Sequence, residues 1–238
     1  MKKIQYVFQR YEKKYLLNKK QYERLCEMIK PYMQEDTYGK HTICNLYYDT
    51  DQFDLIRASI DKPPYKEKLR LRSYGVPKME DTVFLELKKK VQGIVYKRRI
   101  SMSCQKALSF INSSQEIKNK DQIMKEIDYF LQYYPIKEKV YIAYDRIAYF
   151  WKFQADFRIT FDFHIRWRTH QLGLDYGDYG QYLLDEDQVL MEIKMPTAMP
   201  LWLSKALTEL QIYPTSFSKY GMCYKNNLYK QVLKDIHE

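Results

Sequence analysis

Between Tyr65 and Lys90 the chain alternates charged and apolar residues with a period of two. Lys66, Lys68, Arg70 and Arg72 fall at every second position, with Leu69 and Leu71 between them. Successive side chains of a strand point to opposite faces, so the four basic groups share one face and the leucines the other. Gly75-Val76-Pro77 is a turn signal. Beyond it Glu86, Lys88 and Lys90 alternate with Leu85 and Leu87. The stretch predicts a hairpin with one mainly positive face.

The pattern recurs along the chain. A strand over 6–16 carries Arg10, Glu12 and Lys14 on one face, and 42–48 reads as another strand. Lys97, Arg98 and Arg99 lie in a strand over 95–102, and Tyr144 and Arg146 share a face of one over 139–151. From Phe157 to Arg168 the alternation reads without a break, with Arg158, Thr160, Asp162, His164, Arg166 and Arg168 on the charged side. A strand over 189–195 puts Glu192 and Lys194 together. Helices are predicted from an Asn18 cap to about residue 33, around 53–59, over 104–112, 121–133 and 201–210, and from Ser218 onward. Sequential hairpins without regular βαβ alternation give an α+β class. The expected form is a closed antiparallel eight-stranded β-barrel with a charged lumen and helices packed outside, because closure removes exposed edges. With no linker-like stretch and no repeat, residues 1–238 read as one domain.

Composition then sets what such a lumen is for. The chain has 238 residues and a formal net charge of +10. Excess basic charge suits nucleic acid, an acidic membrane surface or a polyanionic small molecule. A barrel lined by Arg10, Lys14, Lys66, Arg70, Arg72, Lys88, Arg146, Arg158 and Lys194 repels itself when empty, and phosphate chains answer that charge: arginine grips phosphate oxygens as a fork and lysine acts as a point charge. Glu12, Glu86, Asp162 and Glu192 are interspersed as either salt-bridge partners or oxygen ligands for Mg²⁺ or Mn²⁺. Other chemistries lack their marks. There is no P-loop, dinucleotide fingerprint or nucleophile elbow, and His41, His164, His170 and His237 are too dispersed for a metal triad. The Lys88–Lys90 and Lys97–Arg99 runs lack a companion nucleic-acid motif, so no specific nucleic acid is expected. Cys26, Cys44, Cys104 and Cys223 have no paired spacing, which points to reduced thiols in a cytoplasm. No signal region and no apolar run of membrane-spanning length is present.

These residues, in this order, resemble the polyphosphate polymerase domain of the vacuolar transporter chaperone (VTC) family, within the triphosphate tunnel metalloenzyme (CYTH-like) superfamily. The marks are Arg10-Tyr-Glu-Lys-Lys-Tyr15, Tyr47-Tyr-Asp-Thr50, Lys68-Leu-Arg-Leu-Arg72, Leu85-Glu-Leu-Lys88, Tyr144-Asp-Arg146, Arg158-Ile-Thr-Phe-Asp162, Met191-Glu-Ile-Lys194 and Ser216-Phe-Ser-Lys-Tyr220. The resemblance covers nearly the whole chain. It implies an eight-stranded tunnel that transfers the ATP γ-phosphate to a growing polyphosphate chain with Mn²⁺. By motif match the phosphate ligands are Lys14, Arg70, Arg72, Lys88, Arg146, Arg158 and Lys219, with Lys97 as a further one and Glu192 holding the metal. The wider superfamily often opens with E-x-E-x-K, where this chain has Arg10, Glu12 and Lys14. That departure weakens thiamine-triphosphatase and adenylate-cyclase readings. Water in place of the acceptor phosphate makes the same site a triphosphatase, and a non-catalytic polyphosphate or RNA binder is the third reading. The chain has no room for the regulatory domain or membrane anchor of eukaryotic members, so any membrane partner for export is expected to be a separate protein.

Overall fold

The architecture comes from a computed structural model, which describes residues 11–92, 94–112, 121–196 and 198–229. Among the described residues eleven strands take part in strand pairing. Eight are long: β1 (Tyr11–Asn18), β3 (His41–Asp49), β4 (Tyr65–Tyr74), β5 (Thr82–Val91), β6 (Ile94–Ser103), β7 (Lys137–Trp151), β8 (Gln154–Arg168) and β10 (Gln188–Met195). Three are short: β2 (Met33–Glu35), β9 (Gln181–Tyr182) and β11 (Pro214–Thr215). The eight long strands are those the alternation predicts. The closed barrel is a correction: the path of paired strands ends at β11 and at β6 among the described residues. Both ends carry substitutes for closure. Pro214 opens β11 without a backbone donor, and β6 bears Lys97, Arg98 and Arg99, which discourage a further strand.

The chain divides into two compact units. The first holds the described part of Met1–His41 with Tyr144–Ile165 and Tyr182–Ser218. Its strands include β1, paired to β10 and to β11, and β10 paired to β8. Tyr15, Leu17, Phe157, Ile159, Phe161, Met191 and Ile193 project into one core. Two helices, α1 (Lys19–Ile29) and α5 (Leu201–Glu209), cover it through Leu25, Ile29, Leu203 and Leu207. The Asn18 cap forms as expected: its side chain accepts from the Gln21 amide while the Gln21 side chain accepts from the Asn18 amide. Helix α1 stops short of the expected residue 33, because Met33–Glu35 pairs with β7 as β2. The strand expected over Phe157–Arg168 runs unbroken as part of β8, and Phe157, Ile159, Phe161, Ile165 and Trp167 are all buried. Within that strand His164 takes a left-handed φ of 46°, as a residue at a bulge can. Phe157, Ile159 and Phe161 lie in the core, whereas Ile165 and Trp167 belong to neither core cluster.

The second unit holds Thr42–Ala143, Arg166–Gln181 and the described part of Lys219–Glu238. Here β3, β4, β5 and β6 form a meander of sequential antiparallel neighbours. Leu69, Leu71, Leu85, Leu87 and Ile100 cover one side of it and are buried. Two helices, α3 (Cys104–Asn112) and α4 (Gln122–Tyr133), pack there through Ala107, Phe110, Ile127 and Phe130. The other side of the meander is left to the charged residues. Helix α2 (Asp54–Asp61) follows β3, and Asp49 at the end of β3 accepts from the amides of Leu55 and Ile56 in its first turn. All four cysteines are free thiols.

Candidate functional site: two cationic sheet faces

In the second unit, strand register brings the basic residues of separate motifs side by side. Lys68 lies opposite Lys88, and Lys88 opposite Lys97. Lys66 lies opposite Lys90. Like charges directly across a ladder are destabilising, yet two adjacent rows of this meander are built that way. One row further on, Arg70 and Arg99 flank Glu86. By alternation the shared face of β4, β5 and β6 holds eight basic side chains, Lys66, Lys68, Arg70, Arg72, Lys88, Lys90, Lys97 and Arg99, and one acid, Glu86.

Glu86 is buried and acts as the hub. Arg70 Nε and Nη2 lie 2.7 Å from its Oε2, Lys97 Nζ 2.9 Å from Oε1, and Arg99 Nε and Nη2 2.6 and 2.5 Å from Oε1. Arg72 Nε stands 4.0 Å away. Burial works against the charge on Glu86, but Arg70, Arg72 and Lys97 overcome it and hold the carboxyl well below the usual carboxylate range. Burial, aided by the like charges of Arg70 and Arg99, pushes the Lys97 ammonium down to about 8 even though Glu86 favours its charged form. Two β3 residues aim the arginines. Asn45 Oδ1 accepts from Arg72 Nε at 2.8 Å, while Asn45 Nδ2 donates to the Ile142 carbonyl at 3.0 Å. The Tyr47 hydroxyl accepts from Arg70 Nη1 at 3.1 Å.

Lys219 begins the last helix, α6 (Lys219–Cys223), which runs on into a π-helical turn at Tyr224–Leu228. Its side chain is almost buried. The next residue ties this helix to β3: the Tyr220 hydroxyl donates to Asp49 Oδ2 at 2.8 Å, and the Tyr220 ring packs 4.9 Å from that of Tyr47. Burial raises the Asp49 carboxyl against the pull of its amide and hydroxyl donors, and raises the Tyr220 hydroxyl well above its ordinary value.

The first unit has a smaller cationic face. Lys14 Nζ lies 3.3 Å from Glu192 and 3.6 Å from Glu12, and donates to the Phe217 carbonyl at 3.0 Å. Glu12, Lys14 and the 214–217 segment border an open hollow of ≈ 330 Å³. Arg146 forks onto Asp162 at 2.6 and 2.7 Å and reaches within 3.8 Å of Glu192. Burial opposes the Arg146 charge, but Asp162 above all, with Glu192, holds its pKa well above the ordinary value. Exposed Arg158 stands directly opposite Lys194, a like-charge pair of the kind seen in the second unit. Arg10 lies outside the described residues.

The register thus collects Lys66, Arg70, Arg72, Lys88, Lys97 and Glu86 on one face, and Lys14, Arg146, Arg158, Lys194, Glu12, Asp162 and Glu192 on another. Asn45, Tyr47 and Arg99 were not among the expected site residues. Arg99 had a visible signal, since it shares the parity of Lys97. Tyr47 opens one of the marks of the family resemblance, whereas Asn45 had no signal beyond lying in a strand.

The acids differ in what remains open to a metal. Among the described residues no three His, Cys, Asp or Glu side chains gather into a metal nest. Asp162 is forked by Arg146 and Glu86 is ringed by cations. Glu12 and Glu192, both beside Lys14, remain. Mg²⁺ is commonly held by one or two carboxylates plus substrate phosphates, so this donor set fits a divalent ion completed by phosphate oxygens.

Antiparallel strands with charged residues on one face and a helix-covered core on the other are a fold that solved structures share. Two solved structures show the likeness. A candidate adenylate cyclase of Bacillus halodurans matches with a TM-score of 0.56 at 16% identity, covering 87% of this chain and 92% of that one. A candidate adenylyl cyclase from Hippeastrum, described as having a dominant triphosphatase activity, matches with a TM-score of 0.56 at 18% identity, covering 90% and 94%. A search of curated proteins gave no match. The VTC domain model matches residues 9–227, and the chain belongs to that family.

Proposed function

We propose that the protein is a phosphotransferase that moves the γ-phosphate of ATP onto a growing inorganic polyphosphate chain. The observation that carries this reading is the register of like charges. Lys68, Lys88 and Lys97 oppose one another in one row of the second unit, and Arg158 opposes Lys194 in the first. A folded protein accepts such repulsion where an anion relieves it. A chain of phosphates, one negative charge or more per unit, matches rows of cations spaced along strands.

Phosphoryl transfer asks for positioning and charge neutralisation more than for a protein nucleophile. Arg70 and Arg72, aimed by Tyr47 and Asn45, are suited to bidentate grips on phosphate oxygens. Lys88, Lys97 and Lys219 supply point charges, as do Lys14, Arg146 and Arg158 on the first unit's face. Glu12 and Glu192 would hold Mn²⁺ or Mg²⁺ together with the substrate. When bound, that ion would neutralise charge on the reacting phosphate oxygens. The acceptor phosphate attacks in line and ADP leaves. Hydrolysis of triphosphate is the second reading, supported by the triphosphatase activity described for the Hippeastrum protein of the same fold.

Pure protein incubated with ATP and Mn²⁺, with products resolved by gel and phosphorus NMR, tests both. Long-chain polymer with ADP is expected. Orthophosphate without polymer replaces the first reading with the second, and binding without turnover removes both. Glu192→Gln is expected to fold normally and to shift the Mn²⁺ dependence of turnover upward. An unchanged Mn²⁺ dependence takes Glu192 out of the metal site.

A further inference from the structure

The end of the β4–β5–β6 meander is apolar where it meets solvent. Tyr65 lies opposite Val91, and Val91 opposite Ile94, so the three form one row across three strands. Val95 follows on the other face. All four are exposed, at 47%, 37%, 47% and 44%. The Gln92 amide donates to the Pro64 carbonyl at 2.8 Å, which ties the β5–β6 turn to the start of β4.

Basic groups flank this row. Lys66 and Lys90 oppose each other one position inward, and exposed Lys62 lies just before the strand. They sit close enough to repel. Burial first, then Lys90 and Lys62, lowers the Lys66 ammonium from its ordinary value. Of the acids nearby, Asp61 is exposed, while buried Glu67 accepts from the Tyr134 hydroxyl at 3.1 Å and stands 4.0 Å from Lys89.

We propose that this strand end is a membrane-docking edge. Val91, Ile94, Val95 and the Tyr65 ring enter the interfacial layer of an anionic bilayer, while Lys62, Lys66 and Lys90 meet its headgroups. The occupant follows from charge complementarity joined to the apolar row. A free phosphate chain answers the lysines but gains nothing from exposed aliphatic side chains. An apolar protein groove answers the aliphatics but offers nothing to the ammonium groups of Lys62, Lys66 and Lys90, of which Lys66 also donates to the Ser59 carbonyl. The surface of an anionic bilayer offers hydrocarbon and negative charge within one shallow layer. Lysine stems lie along apolar surface while their heads stay at headgroup level. The apolar row stands apart from the phosphotransfer reading, because Tyr65, Val91 and Ile94 lie on the face opposite the cationic one, whereas Lys66 and Lys90 belong to the cationic face.

Co-sedimentation of the full chain with phosphatidylserine-containing vesicles, and with phosphatidylcholine vesicles alone, is the test. Binding is expected only to the first, weakening with salt. A Val91→Gln/Ile94→Gln variant and a Lys62→Gln/Lys90→Gln variant should each lose about tenfold in vesicle affinity. The apolar variant should keep the wild-type melting temperature and tripolyphosphate affinity, since both positions are exposed and off the cationic face. Saturating tripolyphosphate should leave vesicle binding in place. Three results overturn the proposal: no vesicle binding, binding undiminished in the apolar variant, or complete displacement by tripolyphosphate, which would assign the lipid to the phosphate-gripping face. A dimer that Ile94→Gln dissolves, with no vesicle binding, gives the edge to a second copy and overturns it as well.

Discussion

Replacing Glu86 by glutamine separates a counter-ion from a metal ligand. The carboxylate is 2% exposed and holds Arg70, Lys97 and Arg99 at 2.5–2.9 Å. Glutamine keeps the size but removes the charge and leaves those cations facing one another. Losing one partner of a buried ion pair costs about 3–5 kcal/mol. The cations are partly solvated, with side-chain exposures of 25% for Arg70 and 33% for Arg99, so the lower figure applies. At about 2–4 °C per kcal/mol for a chain of this size, a 3 kcal/mol loss lowers the melting temperature by about 6–12 °C. The face is then one charge more positive. Tripolyphosphate should bind the variant about tenfold more tightly, which adds about 1.4 kcal/mol to its stabilisation by ligand. The assay is thermal unfolding with and without tripolyphosphate, in chelator, for wild type and variant. The melting temperature should fall without ligand, and the ligand-induced rise should be larger in the variant. An unchanged metal-free melting temperature, or an equal ligand-induced rise, refutes the counter-ion role. A change confined to Mn²⁺ dependence returns Glu86 to the metal site.

Two further outcomes follow from the same face. Lys97, pushed down to about 8, is more protonated in the unfolded chain than in the folded one between about pH 8 and 10. Its contribution to stability therefore rises with pH in that window, whereas phosphate affinity, which needs the ammonium, falls as pH passes about 8. Titration of tripolyphosphate affinity against pH should show that fall in wild type and a flatter profile in Lys97→Arg; parallel profiles would assign the titration to another group. Tyr220→Phe removes a hydrogen bond to buried Asp49 while keeping the ring on Tyr47, costing about 1–3 kcal/mol. If the bond positions Lys219, turnover falls beyond what lost folded fraction explains; unaltered kinetic constants in fully folded variant would leave Tyr220 a stability residue only.

The strands were legible because their pattern is a local consequence of the pleat. Leu69 and Leu71 must face away from Arg70 and Arg72 wherever the chain is extended, and the burial of those leucines agrees. Closure was not legible. It depends on whether the terminal strands find each other, and two-residue β11 and charged β6 have other ways to end a sheet. His164 was hidden for a related reason. Its neighbours alternate well enough to read as continuous, and a single left-handed residue leaves no mark in hydrophobicity.

The cationic site was legible as a set of positions but not as a set of pairs. Parity alone puts Arg70, Lys88 and Lys97 on one face. Which acid answers which cation depends on register, and one residue of slip would replace every partner. The observed register gives Glu86 two arginines as direct cross-strand neighbours and gives Lys88 two lysines. The structure gives Asp162 to Arg146 as a closed fork and sets Lys14 between Glu12 and Glu192, with Arg146 also 3.8 Å from Glu192. By alternation alone the four acids were alike, and only the family resemblance singled out Glu192 for a divalent ion. Their surroundings divide them: a carboxylate ringed by guanidinium groups holds cations in place, while Glu12 and Glu192 meet Lys14 at the longer distances of 3.6 and 3.3 Å. Lys68 opposite Lys88 and Arg158 opposite Lys194 then have a reason to persist, because a phosphate chain is proposed to meet the charge they concentrate.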